Sequence, residues 1–134
     1  MNKMKVFSIG YGGKTPEELV KKLKDAGVST VLDVRYSPRC GWNQMFSQNG
    51  LSEMLAKEHI SYAHEKRLGN PKMKLELFTM EQEAMDALDE MFKFSKNAGI
   101  KVALMCAEGN PDKCHRKALC RWLEKERDVE VIHL

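Results

Sequence analysis

The chain has no long apolar run: none approaches the roughly 20 residues of a membrane-crossing helix, so no spanning segment and no membrane partner are expected. It also has no Cys-x-x-Cys pair, internal repeat, low-complexity tract or linker. Cys106 and Cys114 are too far apart for a zinc knuckle, and Cys114 and Cys120 do not share a helical face, which argues against a zinc site built from them and His115. Neither a metal nor any other cofactor is expected. Charge of one sign is scarce as well: 22 Lys and Arg against 19 Asp and Glu leave +3, too little to argue for nucleic acid, although it stays open as a partner. Residues 1–5 contain no apolar signal-peptide core and lead directly into a strand pattern. The four cysteines are therefore read as thiols of a cytoplasmic protein.

What the chain does have is a regular alternation of short apolar runs with amphipathic stretches. At 134 residues, 43% hydrophobic and 31% charged, it reads as one domain over residues 1–134. Strand patterns fall at residues 6–9, 30–35, 60–64, 102–105 and 129–134, separated by helix patterns. Thr15 and Pro16 look like a helix cap and first turn, with Gly27 as the stop; further helices are expected over 51–59 and 79–97, the last ended by Gly99. Such alternation implies an α/β fold, an open, mostly parallel five-stranded sheet with helices on both faces. Residues 36–47 form the longest irregular stretch, and residues 67–71 a second turn-rich loop.

The densest chemistry lies in residues 106–116, where an apolar strand runs into Cys106 and Glu108, turns at Gly109 and re-emerges as a helix. Asn110 is a good cap and Pro111 a good first helical residue, so Cys114, His115 and Arg116 are expected in the first turns of that helix. The free amides there, with the Gly109 bend, would form an anion cradle facing a thiol of lowered pKa. His115, Ala118, Leu119 and Trp122 share one helical face, which puts His115 inside and Arg116 on the border.

Each of these residues has a chemical and an architectural reading. Cys106 is a nucleophile or redox thiol, or a small buried hydrophobe at a strand end. Glu108 manages a proton or caps a turn, and His115 is the base for Cys106 or a histidine bonded to a loop carbonyl. Arg35 and Arg116 are the anion-binding candidates, against which stands an internal pair of Asp33 with Arg35 or Arg116. Cys114 reads as packing, with a resolving role for Cys106 as the alternative. Ser8, Gly10, Tyr11 and Asp33 complete the candidate ligand site, because the strand carboxyl ends converge there. Tyr11, Trp42 and Tyr62 are candidates for aromatic walls around a base or ring, although they are scattered along the chain, and Met85 and Met91 read as core.

Four segments also carry a resemblance. Ser8-Ile9-Gly10-Tyr11-Gly12, Leu32-Asp33-Val34-Arg35 with Pro38, Arg67-Leu68-Gly69, and Leu104-Met105-Cys106-Ala107-Glu108 through Cys114-His115-Arg116 together resemble the bacterial and archaeal family known as domain of unknown function 488. Asn70 departs from it, since a second Gly is common there. The resemblance implies a compact α/β domain and assigns no reaction. A fainter similarity, to rhodanese-like domains, rests on Asp33-Val34-Arg35 and a cysteine after a later strand; here, however, Pro111 and Asp112 stand where those loops present consecutive amides.

The expected function is an enzyme with a cysteine-containing site for a small anionic or phosphorylated ligand, in which Arg35 and Arg116 hold the anion. Two alternatives stand beside it: a ligand- or nucleic-acid-binding module with a structural Cys-His-Arg turn, and a rhodanese-like sulfur carrier. Oligomeric state does not follow from the sequence.

Overall fold

The first strand already dictates a layered architecture, because it is buried on both sides. In β1 (Lys5–Gly10), Val6 packs into one hydrophobic cluster and Phe7 and Ile9 into another across the sheet. A strand with no solvent face belongs in the middle of a parallel sheet. The computed structural model describes residues 3–72 and 74–134; Met1 and Asn2, part of the N-terminal stretch read above, lie outside them.

The other elements are α1 (Pro16–Asp25), β2 (Thr30–Asp33), α2 (Gln48–Lys57), β3 (Ser61–His64), α3 (Gln82–Ala98), β4 (Val102–Cys106), α4 (Arg116–Arg127) and β5 (Glu130–His133). The five strands are all parallel, in the order β3-β2-β4-β1-β5. Helices α1 and α2 cover one face through Leu19, Leu23, Leu51 and Leu55. On the other, α3 and α4 bury Leu88, Leu119 and Leu123, each worth roughly 1.5–3 kcal/mol when removed from water. This is the expected three-layer α/β sandwich.

Local signals explain several boundaries. Thr15 caps α1, its hydroxyl accepting from the Glu18 amide at 3.1 Å while the Glu18 carboxylate accepts from the Thr15 amide at 3.3 Å. Gly99 ends α3 in the left-handed region at φ 66°. α3 starts at Gln82 rather than Thr79, because a 3₁₀ turn over Leu75–Leu77 precedes it and the chain is still extended at its cap, Glu81. α2 starts earlier than expected, directly after the short turn Gln44–Phe46.

The largest difference lies in residues 106–116. Asn110 caps a single 3₁₀ turn, Pro111–Lys113, after which Cys114 is extended and α4 begins only at Arg116. The buried stripe of α4 is Arg116, Leu119, Cys120 and Leu123, one residue round from the expected face. Arg116 is thus fully buried, while His115 sits half-buried at the cap position and Trp122 lies partly out under the Arg127 guanidinium.

The topology also sets the site. From β2 the chain goes to the β3 edge, and from β4 it crosses to the β5 edge, so the loops after these neighbouring strands part and leave a crevice at their carboxyl ends.

Candidate functional site

Two arginines frame this crevice, one on each side of the sheet. On the α1/α2 side Asp33 is fully buried and pairs with Arg35 at 2.6 Å. The Asp33 carboxylate also accepts from Arg35 Nε at 2.9 Å, from the Arg35 amide at 3.1 Å and from the Tyr62 hydroxyl at 2.5 Å. The remaining Arg35 nitrogen donates to the Phe46 carbonyl at 2.8 Å and the Tyr11 hydroxyl at 3.2 Å, pinning the loop after β2. Burial opposes the charge on Arg35, but Asp33 overrides it and holds the guanidinium protonated. Burial and the Asp33 hydrogen bond push the Tyr62 phenol up, so it stays a donor. Arg35 and Asp33 thereby spend their hydrogen bonds on each other and on the loop.

On the α3/α4 side Arg116 meets no carboxylate among the described residues. Its Nε donates to Ser8 Oγ at 2.7 Å, Nη1 to Cys106 Sγ at 2.8 Å and to the Glu108 carbonyl at 2.5 Å, and Nη2 to the Gly109 carbonyl at 3.2 Å. Ser8 in turn contacts His133 Nδ1 at 2.8 Å. The alternative pair of Asp33 with Arg116 does not form, because Asp33 faces the α1/α2 side together with Val31 while Arg116, on α4, lies on the opposite side of the sheet.

His115 is bound to Cys114 rather than to Cys106. Its Nε2 lies 2.8 Å from the Leu68 carbonyl and 3.1 Å from the Val34 carbonyl, which only accept, so Nε2 carries a hydrogen. This leaves Nδ1 facing Cys114 Sγ at 3.8 Å. The Arg116 amide, first in α4, also points at Cys114 Sγ, at 3.4 Å. Burial alone would lower the His115 pKa, but the Cys114 sulfur and the two carbonyls outweigh it and raise it.

The two thiols both lie against Arg116, Cys106 Sγ 2.8 Å from Nη1 and Cys114 Sγ 3.4 Å from the amide, and the titration of each depends on the other. Arg116 Nη1 favours a thiolate at Cys106, whereas the Arg116 amide donates toward Cys114 and the His115 ring faces it. Cys114 is held below the usual thiol range chiefly by its coupling to Cys106, with the His115 side chain adding to it, and Cys106 is pushed above that range by Cys114 and by burial. Cys120, buried behind them, is pushed up to about 12 by desolvation.

The backbone supports this arrangement through close contacts. A Cβ on Gly10 would stand 1.8 Å from the Glu108 carbonyl oxygen, so only glycine lets the loop after β4 lie across the end of β1. Gly12 donates its amide to the Ala107 carbonyl at 2.8 Å, and a Cβ on Gly69 would meet Tyr36 Cα at 2.4 Å. The amides of Asp112, Lys113 and Cys114 are used inside the 3₁₀ turn, so the expected anion cradle at a helix start is filled by the turn itself.

Above the thiols opens a cavity of about 310 Å³ lined by Tyr11, Arg35, Cys106, Glu108, Cys114 and His115, with Arg39, Tyr36 and Lys113 around it. Glu108 is exposed, and its carboxylate has no charged partner among the described residues. Of the residues expected at the site, Cys106, Glu108, His115, Arg35 and Tyr11 line this cavity; Arg116, Ser8, Gly10 and Asp33 stand behind its wall as supports. The sequence reading put little weight on Cys114, and its adjacency to His115 was the available signal. No group of three or more Cys, His, Asp or Glu fit for a metal ion exists among the described residues, and no described helix is long and apolar enough to cross a membrane.

Residues 15–123 match the family model described as Domain of unknown function DUF488. No curated protein matches the chain.

Proposed function

Because the chain belongs to the DUF488 family, whose description names no reaction, we propose a function from the site alone: a cysteine-dependent enzyme acting on a small anionic substrate in the cavity at the carboxyl ends of β2 and β4. One observation carries this reading. Arg116 is wholly buried with no carboxylate partner among the described residues, and its guanidinium meets Cys106 Sγ at 2.8 Å beside a cavity that Cys106 and Cys114 both line. A buried cation without a counter-ion is costly, so the site favours a thiolate at neutral pH. Cys114 then serves as nucleophile and His115 as its proton partner, in the pattern of an activated thiol beside an imidazole. Arg39 and Lys113, exposed at the cavity, supply the attraction for an anion, and Glu108 is placed to move a proton.

The test is the rate of iodoacetamide labelling at each cysteine against pH, read by peptide mass spectrometry with and without sulfate or phosphate. The proposal expects Cys114 to label at pH values well below the roughly 8.5 of a free thiol, with protection by the anion. If neither Cys106 nor Cys114 reacts until the protein unfolds, both are packing residues and the proposal is lost.

A second reading is favoured by the wider groove of about 930 Å³ beside the cavity, which Arg39, His64, Lys66 and Tyr36 line. A basic groove with an aromatic edge suits a single-stranded nucleic acid. Salt-sensitive binding of an oligonucleotide, together with inert thiols, would favour that reading over the enzyme.

A further inference from the structure

Most cysteine nucleophiles work with one thiol, and their covalent intermediate is resolved by water or a second substrate. Here a second thiol shares the cavity with the first. Cys106 and Cys114 come from opposite ends of the loop after β4, line the same cavity and both lie against Arg116, Cys106 Sγ 2.8 Å from Nη1 and Cys114 Sγ 3.4 Å from the amide. The other two cysteines are set apart: Cys120 is buried under α4 and Cys40 lies in the loop after β2. Two thiols opening onto one cavity are what thiol–disulfide exchange requires, an attacking sulfur and a resolving one.

We infer that Cys114 and Cys106 form a dithiol–disulfide couple that reacts with small disulfides bearing carboxylates, Cys114 attacking and Cys106 resolving. The inference rests on the proposed cysteine chemistry of the cavity and names its substrate class. In the first step the Cys114 thiolate attacks one sulfur of the substrate; the substrate S–S bond breaks and one thiolate leaves with the electron pair. In the second, Cys106 passes its proton to that thiolate and attacks Cys114 Sγ, expelling the other half of the substrate as a thiolate. Two electrons pass from the cysteine pair to the substrate, and no further oxidant is needed. The carboxylate requirement follows from Arg39 and Lys113, which flank the cavity and have no ion-pair partner among the described residues.

Arg116 gives the couple a direction. Reduced, the pair answers its charge; oxidised, the disulfide is neutral, and Arg116 retains only Ser8 and carbonyl oxygens as partners. A charge that stabilises the reduced form makes the disulfide oxidising, since stabilising the dithiol raises the reduction potential. The oxidised protein is therefore expected to be reduced readily by free thiols.

The experiment incubates the reduced full chain with oxidised glutathione, or with the cationic disulfide cystamine, and maps the products by peptide mass spectrometry. The expected wild-type product links the Cys106 and Cys114 peptides and leaves Cys40 and Cys120 as thiols, forming about tenfold faster with glutathione disulfide than with cystamine. Cys106→Ser is expected to stop at a glutathione adduct on Cys114, and Cys114→Ser to form no adduct at a comparable rate. An equally fast adduct on Cys106 in Cys114→Ser would overturn the assignment of roles. Fast, anion-protected alkylation of Cys114 without any linked peptide would overturn this inference and leave the proposed function standing, whereas inert thiols in both assays would remove both.

Discussion

Arg35 and Arg116 stand at the carboxyl ends of neighbouring strands, both buried and both saturated with hydrogen bonds, yet their charges are balanced in different ways. Arg35 pairs with the fully buried carboxylate of Asp33 at 2.6 Å. Arg116 instead meets Cys106 Sγ at 2.8 Å and, through its amide, Cys114 Sγ at 3.4 Å, two thiols whose chemistry changes with pH and oxidation state. The difference separates architecture from chemistry. Where the partner is a carboxylate, the arginine serves as a brace for the loop after β2 and ties it to Phe46 and Tyr11. Where it is a thiol, the arginine's surroundings respond to what happens at sulfur.

The comparison breaks first on the Arg35 side. Asp33→Asn leaves a buried guanidinium unpaired and is expected to cost about 3–5 kcal/mol in denaturant unfolding. The accompanying Val34 and Arg35 are next to the His115 contact, so the loss should also loosen the cavity. Gly10→Ala attacks the other side through the backbone. Its methyl group meets the Glu108 carbonyl, which Arg116 holds, and the expected loss of about 1–3 kcal/mol comes with a change in Cys114 labelling that Asp33-independent packing would not produce. If Gly10→Ala unfolds no more easily and labels as before, the loop is not held as described.

The contrast also explains what was legible in the sequence. Sheet and helices were, because Val6, Phe7 and Ile9 in β1, Thr15 and Pro16 at α1, and Gly99 after α3 all carry local signals that tertiary packing reinforces. The Asp33–Arg35 pair was legible as one of two alternatives to anion binding by Arg35, since residues two apart on a strand share a face. The Arg116 side was misplaced by one residue: apolar periodicity fits both the face through Ala118 and Trp122 and the face through Leu119, Cys120 and Leu123. An arginine is a poor guide to a core position until its partners are known, and here those come from Ser8 and the loop after β4. The surroundings of Cys114 were misplaced for the same reason: a helical position hid the extended residue that turns its sulfur toward His115 and the Arg116 amide.

The pH dependence of stability sharpens the distinction by a smaller amount. Cys114 is an acid whose pKa is lowered in the folded chain, so its contribution is complete above the free-thiol value near 8.5 and is lost as pH falls toward the folded value. Removing it with Cys114→Ala is expected to cost about 1–3 kcal/mol at pH 8.5, and the gap to wild type should narrow on acidification. His115 works in the opposite sense: its raised pKa stabilises the fold below its unfolded value near 6.5, and this is lost as pH rises through the folded value. A gap between wild type and Cys114→Ala that is constant from pH 5 to 8.5 would mean that the thiol pair carries no charge and that Arg116 is balanced by its neutral oxygens alone.

The smallest effect is expected at the cavity mouth, where neither arginine network is touched. Arg39 and Lys113 are exposed and form no ion pair among the described residues, so replacing either with Gln should leave the melting curve unchanged. What should change is the protection of Cys114 by sulfate, weakened about two- to fivefold for each charge removed, the size of an exposed ionic contact. This outcome separates an anion drawn in from the mouth from one held by the buried guanidinium. Protection that survives the double substitution but disappears at high salt would point to long-range attraction by the whole basic face, including Lys66. Protection that survives both would mean that the anion reaches Arg116 itself and displaces the Glu108 carbonyl, making the second arginine a ligand as well as a support.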